Sequence, residues 1–202
     1  MVEGTLAITV TLAEIDAPTG NNNTFTYDGK EKTFTPDGYD ADTAAYMLSG
    51  NTETDAGNYT ATLSLKDKAN TVWKDTKKAE DRTLPYTITK AAAPVLDKIS
   101  VSQKYTVNTQ QSKDIGRAGM PADAGTLTYA KGTEAAIAHV SSWSVNNTTG
   151  EVTYTLSGAA GATVTLPVVI TSTNYEDATV DVVITLTDTP FCRTLGFTSV
   201  CR

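Results

Sequence analysis

Polar and apolar residues alternate with period two along most of this chain. In "TLAITVTLAEI", Leu6, Ile8, Val10 and Leu12 share one face, and Ala7, Thr9, Thr11 and Ala13 share the other. "NYTATLSLK" sets Tyr59, Ala61, Leu63 and Leu65 against Thr60, Thr62, Ser64 and Lys66, and "ATVDVVITLT" repeats the scheme with Val180, Val182, Ile184 and Leu186. Successive side chains of a strand point to opposite sides, so each segment predicts a strand with one face in a core and one in water. That is the pattern of antiparallel sheets. "YDGK", "PDGYDAD", "TDAGN", "TTGE" and "GAAGA" break the alternation with turn-forming residues. The nearest approach to a helix, "TEAAIAHV", is too short to stand alone.

A boundary falls at "TKAAAPVL", where a strand-like "LPYTITK" ends, Pro94 interrupts pairing, and a new alternating series starts at Val95. The expected class is all-β: two tandem immunoglobulin-like β-sandwich domains, 1–91 and 92–189, with a short C-terminal hairpin tail at 190–202. Residues 1–16 are either a first strand of the first domain or the last strand of a preceding repeat, because "TLAITVTLAEIDAP" aligns with "TVDVVITLTDTP". Each domain closes with an Asn-Tyr step followed by a long alternating strand. Repeated units imply an array of separate domains rather than one enzyme body.

Composition narrows the function classes. Apolar residues make up 40%, enough for packed cores, and the net charge of -7 repels phosphate backbones, so nucleic acid is not an expected partner. No run approaches the roughly 18 apolar residues of a membrane span. The start, "MVEGTLAITV", lacks the basic and long apolar regions of a signal peptide, which reads as either a cytoplasmic protein or a piece of a longer secreted chain. The repeats favour the secreted chain, and a monomer is expected.

Candidate chemistry is sparse. Asp37, Asp40 and Asp42 in "PDGYDAD" are either a calcium-holding (Ca2+) turn or a solvated turn whose carboxylates bond their own backbone. Otherwise no cofactor is expected. Tyr27, Tyr39 and Tyr46 cluster around turns and are the candidates for a sugar-stacking surface, with core packing as the alternative. Trp73 and Trp143, one per domain, read as core residues. The single histidine, His139, has Ser141 and Ser142 beside it but no triad pattern, and no metalloprotease, phosphate-loop or dinucleotide motif occurs, so an enzyme is not expected. Lys30, Lys32 and Lys104 on early strands, with Asp75, Asn174 and Asp181 on later ones, are the residue pool for an internal isopeptide crosslink, with ordinary surface lysines as the alternative.

The two cysteines, Cys192 and Cys201, stand in the final "FCRTLGFTSVCR". With Gly196 and Phe197 central in a type II′ turn, Leu195 faces Thr198, Thr194 faces Ser199, Arg193 faces Val200, and Cys192 faces Cys201. That pair falls on a non-hydrogen-bonded site, where a cross-strand disulfide fits. The tail is thus either a disulfide-closed loop presenting Arg193, Leu195 and Phe197 to a ligand, or an appended end with free thiols.

"FTYDGKEKTFTP", "TETDAGNYTATLSLKDKANTVWKD" and "LPYTITKA", followed by "GEVTYTLSGAAGATVTLPVVITSTNYEDATVDVVITLTD", are similar to the YDG/MBG-type immunoglobulin-like repeats of large surface proteins from Gram-positive gut bacteria. The resemblance covers most of residues 17–189. It implies β-sandwiches in a tandem, exported, extracellular array on the cell surface, acting as a spacer or adhesive segment, with no catalytic residues to carry over. A ligand-binding module for a glycan or host protein is the alternative. "TPFCRTLGFTSVCR" matches neither repeat.

Overall fold

The computed structural model describes residues 11–20, 23–104, 109–133, 136–157 and 160–187, together with the backbone of 192–195 and 198–201. The fold is all-β, and the chain divides into two compact units, residues 1–90 and 91–202. The predicted core positions Leu6, Ile8 and Val10 lie outside the described residues.

The first unit carries β1 (Ala13–Ile15), β2 (Thr24–Thr26), β3 (Lys32–Thr33), β4 (Tyr46–Ser49), β5 (Thr52–Glu53), β6 (Gly57–Leu65), β7 (Thr71–Trp73) and β8 (Arg82–Thr89). Its main sheet runs β2-β8-β6-β4, with β1 paired to β7 and β3 to β5. The alternation in β6 sends Ala61, Leu63 and Leu65 inward, each at most 3% exposed. They meet two aromatic centres, one built on Trp73 and Tyr46, the other on Phe34 and Tyr86. Phe34 and Tyr86 stack at 5.3 Å. Leu12, read as a core position, is instead 45% exposed. β1 joins the unit through its short parallel ladder to β7, with Ile15 packed on the Trp73 cluster and Glu14 paired to Lys77 at 2.6 Å.

Between residues 91 and 187 the described residues of the second unit form seven strands in two facing sheets: β9 (Ile99–Lys104), β10 (Gln110–Asp114), β11 (Leu127–Lys131), β12 (Val140–Val145), β13 (Glu151–Leu156), β14 (Thr163–Ser172) and β15 (Ala178–Thr187). One sheet runs β11-β14-β15-β9 and the other β10-β13-β12. Val180, Val182, Ile184 and Leu186 point into the space between them and are at most 1% exposed, packed with Val152, Tyr154 and Leu156 from the facing sheet. Burying a side chain of this kind is worth about 1.5–3 kcal/mol. Pro85 and Pro167 interrupt long strands at positions just past the ends of the short neighbours β2 and β11, so their missing N–H removes no ladder bond on that side.

Two features depart from the purely antiparallel reading. In each unit the first strand of the main sheet lies parallel to the last, β2 beside β8 and β9 beside β15. A chain that crosses over before pairing arrives in the same direction, and alternation alone does not record that. The two Asn-Tyr steps also differ in place. Asn58-Tyr59 lies at the start of β6, two strands before the last, whereas Asn174-Tyr175 sits in the turn leading into β15.

Burial raises the pKa of Tyr46, Tyr86, Tyr129 and Tyr154 above the usual value of about 10. The folded state therefore retains phenol protons that the unfolded chain releases near pH 10. The corresponding stability is complete below about pH 10 and is lost as pH rises through the higher folded values. Denaturant melts from about pH 8 to about pH 12 should show a falling midpoint only above about pH 10, accompanied by tyrosinate absorbance. A midpoint independent of pH in that range would contradict the burial.

Candidate functional site

The turn aromatics do not form a platform. Tyr27 and Tyr46 are buried, at 4% and 6% exposed. Tyr39 is half-buried with its ring 5.6 Å from Tyr46, which in turn lies 5.5 Å from Trp73. Once the turn folds back on β4, the apolar faces of these rings gain more by packing on Trp73 than by standing in water. The exposed surface read for Tyr27 and Tyr46 is therefore corrected to core.

The acidic turn resolves the same way. Asp40 Oδ1 accepts the amide of Asp42 and Oδ2 accepts the hydroxyl of Thr43, both at 3.0 Å. These bonds, the amide first, hold the Asp40 carboxyl below the usual carboxylate range. Among the described residues no three His, Cys, Asp or Glu side chains gather as a metal-holding group. Asp37, Asp40 and Asp42 are thus not brought together as a calcium centre, because Asp40 is turned to its own backbone.

His139 is exposed in left-handed backbone with φ 65°, and Ser141 Oγ donates to the Thr155 carbonyl rather than to the imidazole. No nucleophile–base pair forms there. Of the crosslink pool, Lys32 pairs with Asp28 at 2.6 Å, Asp75 with Arg82 at 2.6 Å, and the Asn174 amide donates to the Asp123 carbonyl at 2.8 Å. These are ordinary polar partners, not lysine–amide pairs.

The backbone of the tail forms β16 (Cys192–Leu195) and β17 (Thr198–Cys201), antiparallel, with Cys192 opposite Cys201 and Leu195 opposite Thr198. Gly196, Phe197 and the side chains of Cys192, Arg193, Leu195 and Cys201 lie outside the described residues.

What the structure does gather lies in the second unit. Trp143, read as a core residue, is only half-buried on β12, at the edge of its sheet. Lys131 from β11 places its ammonium 4.7 Å from the indole centroid, a cation–π contact closing the gap between the two sheet edges. Opposite Trp143 stands Tyr154. Its hydroxyl is buried and has no hydrogen-bond partner among the described residues. A shallow hollow of about 210 Å³ is lined by Gln110, Ser142, Trp143, Ser144, Thr153 and Tyr154, with Ser144 and Thr153 sharing a 2.6 Å hydroxyl contact.

A second assembly ties down the start of the unit. Asn174, 1% exposed, accepts the Ala91 amide on its carbonyl at 2.9 Å, and the Ala91 carbonyl accepts the Glu176 amide at 2.8 Å. Tyr175 Oη donates to Asp123, 3.1 Å from Oδ1. Gly125, at φ 74°, allows this close approach, since a Cβ there would come within 2.7 Å of Thr173. The Asn-Tyr step was visible in the sequence, but nothing there showed that the asparagine is buried against residues some fifty positions earlier.

No family profile matches the chain, and no curated protein matches it. Solved structures similar to it include the mixed-linkage glucan utilization locus protein SGBP-B of Bacteroides ovatus, in complex with a mixed-linkage heptasaccharide. That match is 12% identical with a TM-score of 0.22, over 90% of this chain and 49% of that one. The S-layer protein rSbsC is 15% identical with a TM-score of 0.19, over 75% of this chain and 22% of that one. The chain therefore spans about half the length of the first and about a fifth of the second.

Proposed function

We propose that this chain is a non-catalytic spacer segment of an extracellular, cell-surface protein, built from YDG/MBG-type repeats and holding another module away from the surface. The observation that carries the reading is the parallel pairing of first and last strands in each unit. Two parallel neighbours start at the same end, so a chain entering along the first and leaving along the last comes in at one end of the unit and departs from the other. Such a unit adds its own length to a stalk, whereas an antiparallel pairing would return the chain to where it began.

The second unit allows a direct test. Ala91 is bridged to Tyr175, and β15 ends at Thr187. At about 3.3 Å per residue, labels at exposed Ala92 and Thr187 should stand roughly 40 Å apart. A separation of half that or less would bring both ends to one side and reject the spacer.

A second reading is favoured by the hollow along β12 and β13, which gathers the hydroxyls of Ser142, Ser144 and Thr153 and the amide of Gln110 beside half-open Trp143. Hydroxyl and amide groups side by side can bond the hydroxyls of a sugar ring. Glycan arrays probed with the full chain, a version ending at Asp188 and a Trp143→Ala variant, oxidised and reduced, separate the options. Binding lost with Trp143 supports the hollow, and binding lost with the tail or on reduction supports a Cys192–Cys201 loop. Binding by none leaves the spacer alone.

A further inference from the structure

We propose that the second unit is a mechanical clamp: its β9–β15 ladder is loaded in shear when the chain is pulled from its ends and sets the highest force the chain withstands. The biological use of this property rests on the spacer reading, but the resistance itself follows from the ladder.

The geometry is specific. Residues Ile99 to Lys104 pair in parallel with Val182 to Thr187, six positions in continuous register. Upstream, Ala91 is bridged in the same sense to Tyr175 through its two backbone hydrogen bonds. Tension enters β9 at its N-terminal end and leaves β15 at its C-terminal end. In a parallel pair those pulls are antiparallel and lie along the strands. Slanted, evenly spaced ladder bonds then share the load and must break together. Pulled across the strands, the same bonds would open one after another.

Both walls of the clamp are anchored. β15 is paired on its other side to β14 over eight positions, from Thr163↔Thr185 to Ile170↔Ala178. Its inward row is buried to 1% or less at Val180, Val182, Ile184 and Leu186. Ile99 and Val101 seat β9 on the same core.

The first unit is built to the same plan with fewer bonds. β2 pairs with β8 at three positions, Thr24 to Thr26 against Thr87 to Thr89. Further bonds run from Tyr27 N to Thr89 O at 2.9 Å and from Thr87 N to Asn23 O at 2.7 Å. β1 adds three parallel positions on β7. The first unit therefore yields first, and the second holds.

The test is single-molecule stretching of the whole chain between handles at its two ends. Two steps are expected. The weaker should release the roughly 65 residues between β2 and the end of β8, about 240 Å at about 3.6 Å per residue, and the stronger the roughly 90 residues between β9 and the end of β15, about 320 Å. A stronger step with the shorter release would overturn the assignment. A second geometry needs no destabilising mutation. Handles at exposed Lys104 and Thr187, which pair directly, load the same ladder crosswise. Attached by a chemistry that spares the cysteines, they should lower the unfolding force of the second unit about twofold or more, because forced unfolding tracks the unfolding rate and that rate depends steeply on load. Equal forces in the two geometries would reject the clamp. The label separation across the unit is independent: about 40 Å with no shear resistance leaves a spacer without a clamp, and a short separation removes the spacer itself.

Discussion

Trp73→Ala should unfold the first unit while leaving the second intact. The indole is 1% exposed. Tyr46 lies 5.5 Å from it, the Arg82 guanidinium 5.6 Å from its centroid, and its Nε1 donates to the Glu80 carbonyl at 2.7 Å. Truncating a buried tryptophan costs about 3–5 kcal/mol. The cluster around it holds only four buried side chains, Tyr46, Leu63, Leu65 and Trp73, so little remains to close the cavity. A domain's whole stability is about 5–15 kcal/mol, and a small core sits at the low end. The chain's other tryptophan, Trp143, belongs to the second unit and reports on it separately. Circular dichroism should lose the first transition while Trp143 fluorescence keeps its midpoint. If the Trp143 midpoint fell equally, the two units would be unfolding as one body.

Asn174→Ala should cost the second unit about 1–3 kcal/mol, because the hydrogen bond of a buried side-chain amide is lost together with its packing. The side-chain amide is the donor to the Asp123 carbonyl at 2.8 Å. Its loss takes the amide from the Asp123 carbonyl, leaves a small void at the buried Asn174 position and loosens the turn whose backbone grips Ala91. Denaturant melts followed by Trp143 would show the loss, and amide exchange at Ala91 and Glu176 should quicken. A change below about 0.5 kcal/mol, the range of an ordinary surface substitution, would mean Asn174 is not the tie.

These two residues stand on either side of what the sequence showed: Trp73 was readable as core, and the burial of Asn174 was not. The inward rows Ala61, Leu63, Leu65 and Val180 to Leu186 were legible because period two is a property of the strand itself. A side chain's face follows from its position in the alternation, whatever the strand pairs with. Trp73 as a core residue followed from a different expectation, one large aromatic in each domain's core. The register of the tail's backbone follows from a short turn, another local matter.

Elsewhere the local signal misled. Tyr27 and Tyr46 sit near turns, and turns are usually exposed, but the turn at Asp37 to Thr43 folds over β4 and brings Tyr39 against Tyr46 and Tyr46 against Trp73. Asp40 was chemically able to bind a cation, and its lone pairs went to the amide and hydroxyl within its own turn. Trp143 looked like Trp73 in sequence and was left half-open because β12 is an edge strand.

By itself, then, the sequence determined which residues of the long strands β6 and β15 face inward, where those strands break, and that the fold is all-β, since alternation and turn chemistry act over a few residues. Only the tertiary structure decided which strands become neighbours and in which direction. The parallel placing of β9 on β15, and the burial of Asn174 against Ala91 and Asp123, join positions far apart in the chain. Such contacts are chosen by the packing of the whole core, and no short stretch of sequence carries that free energy.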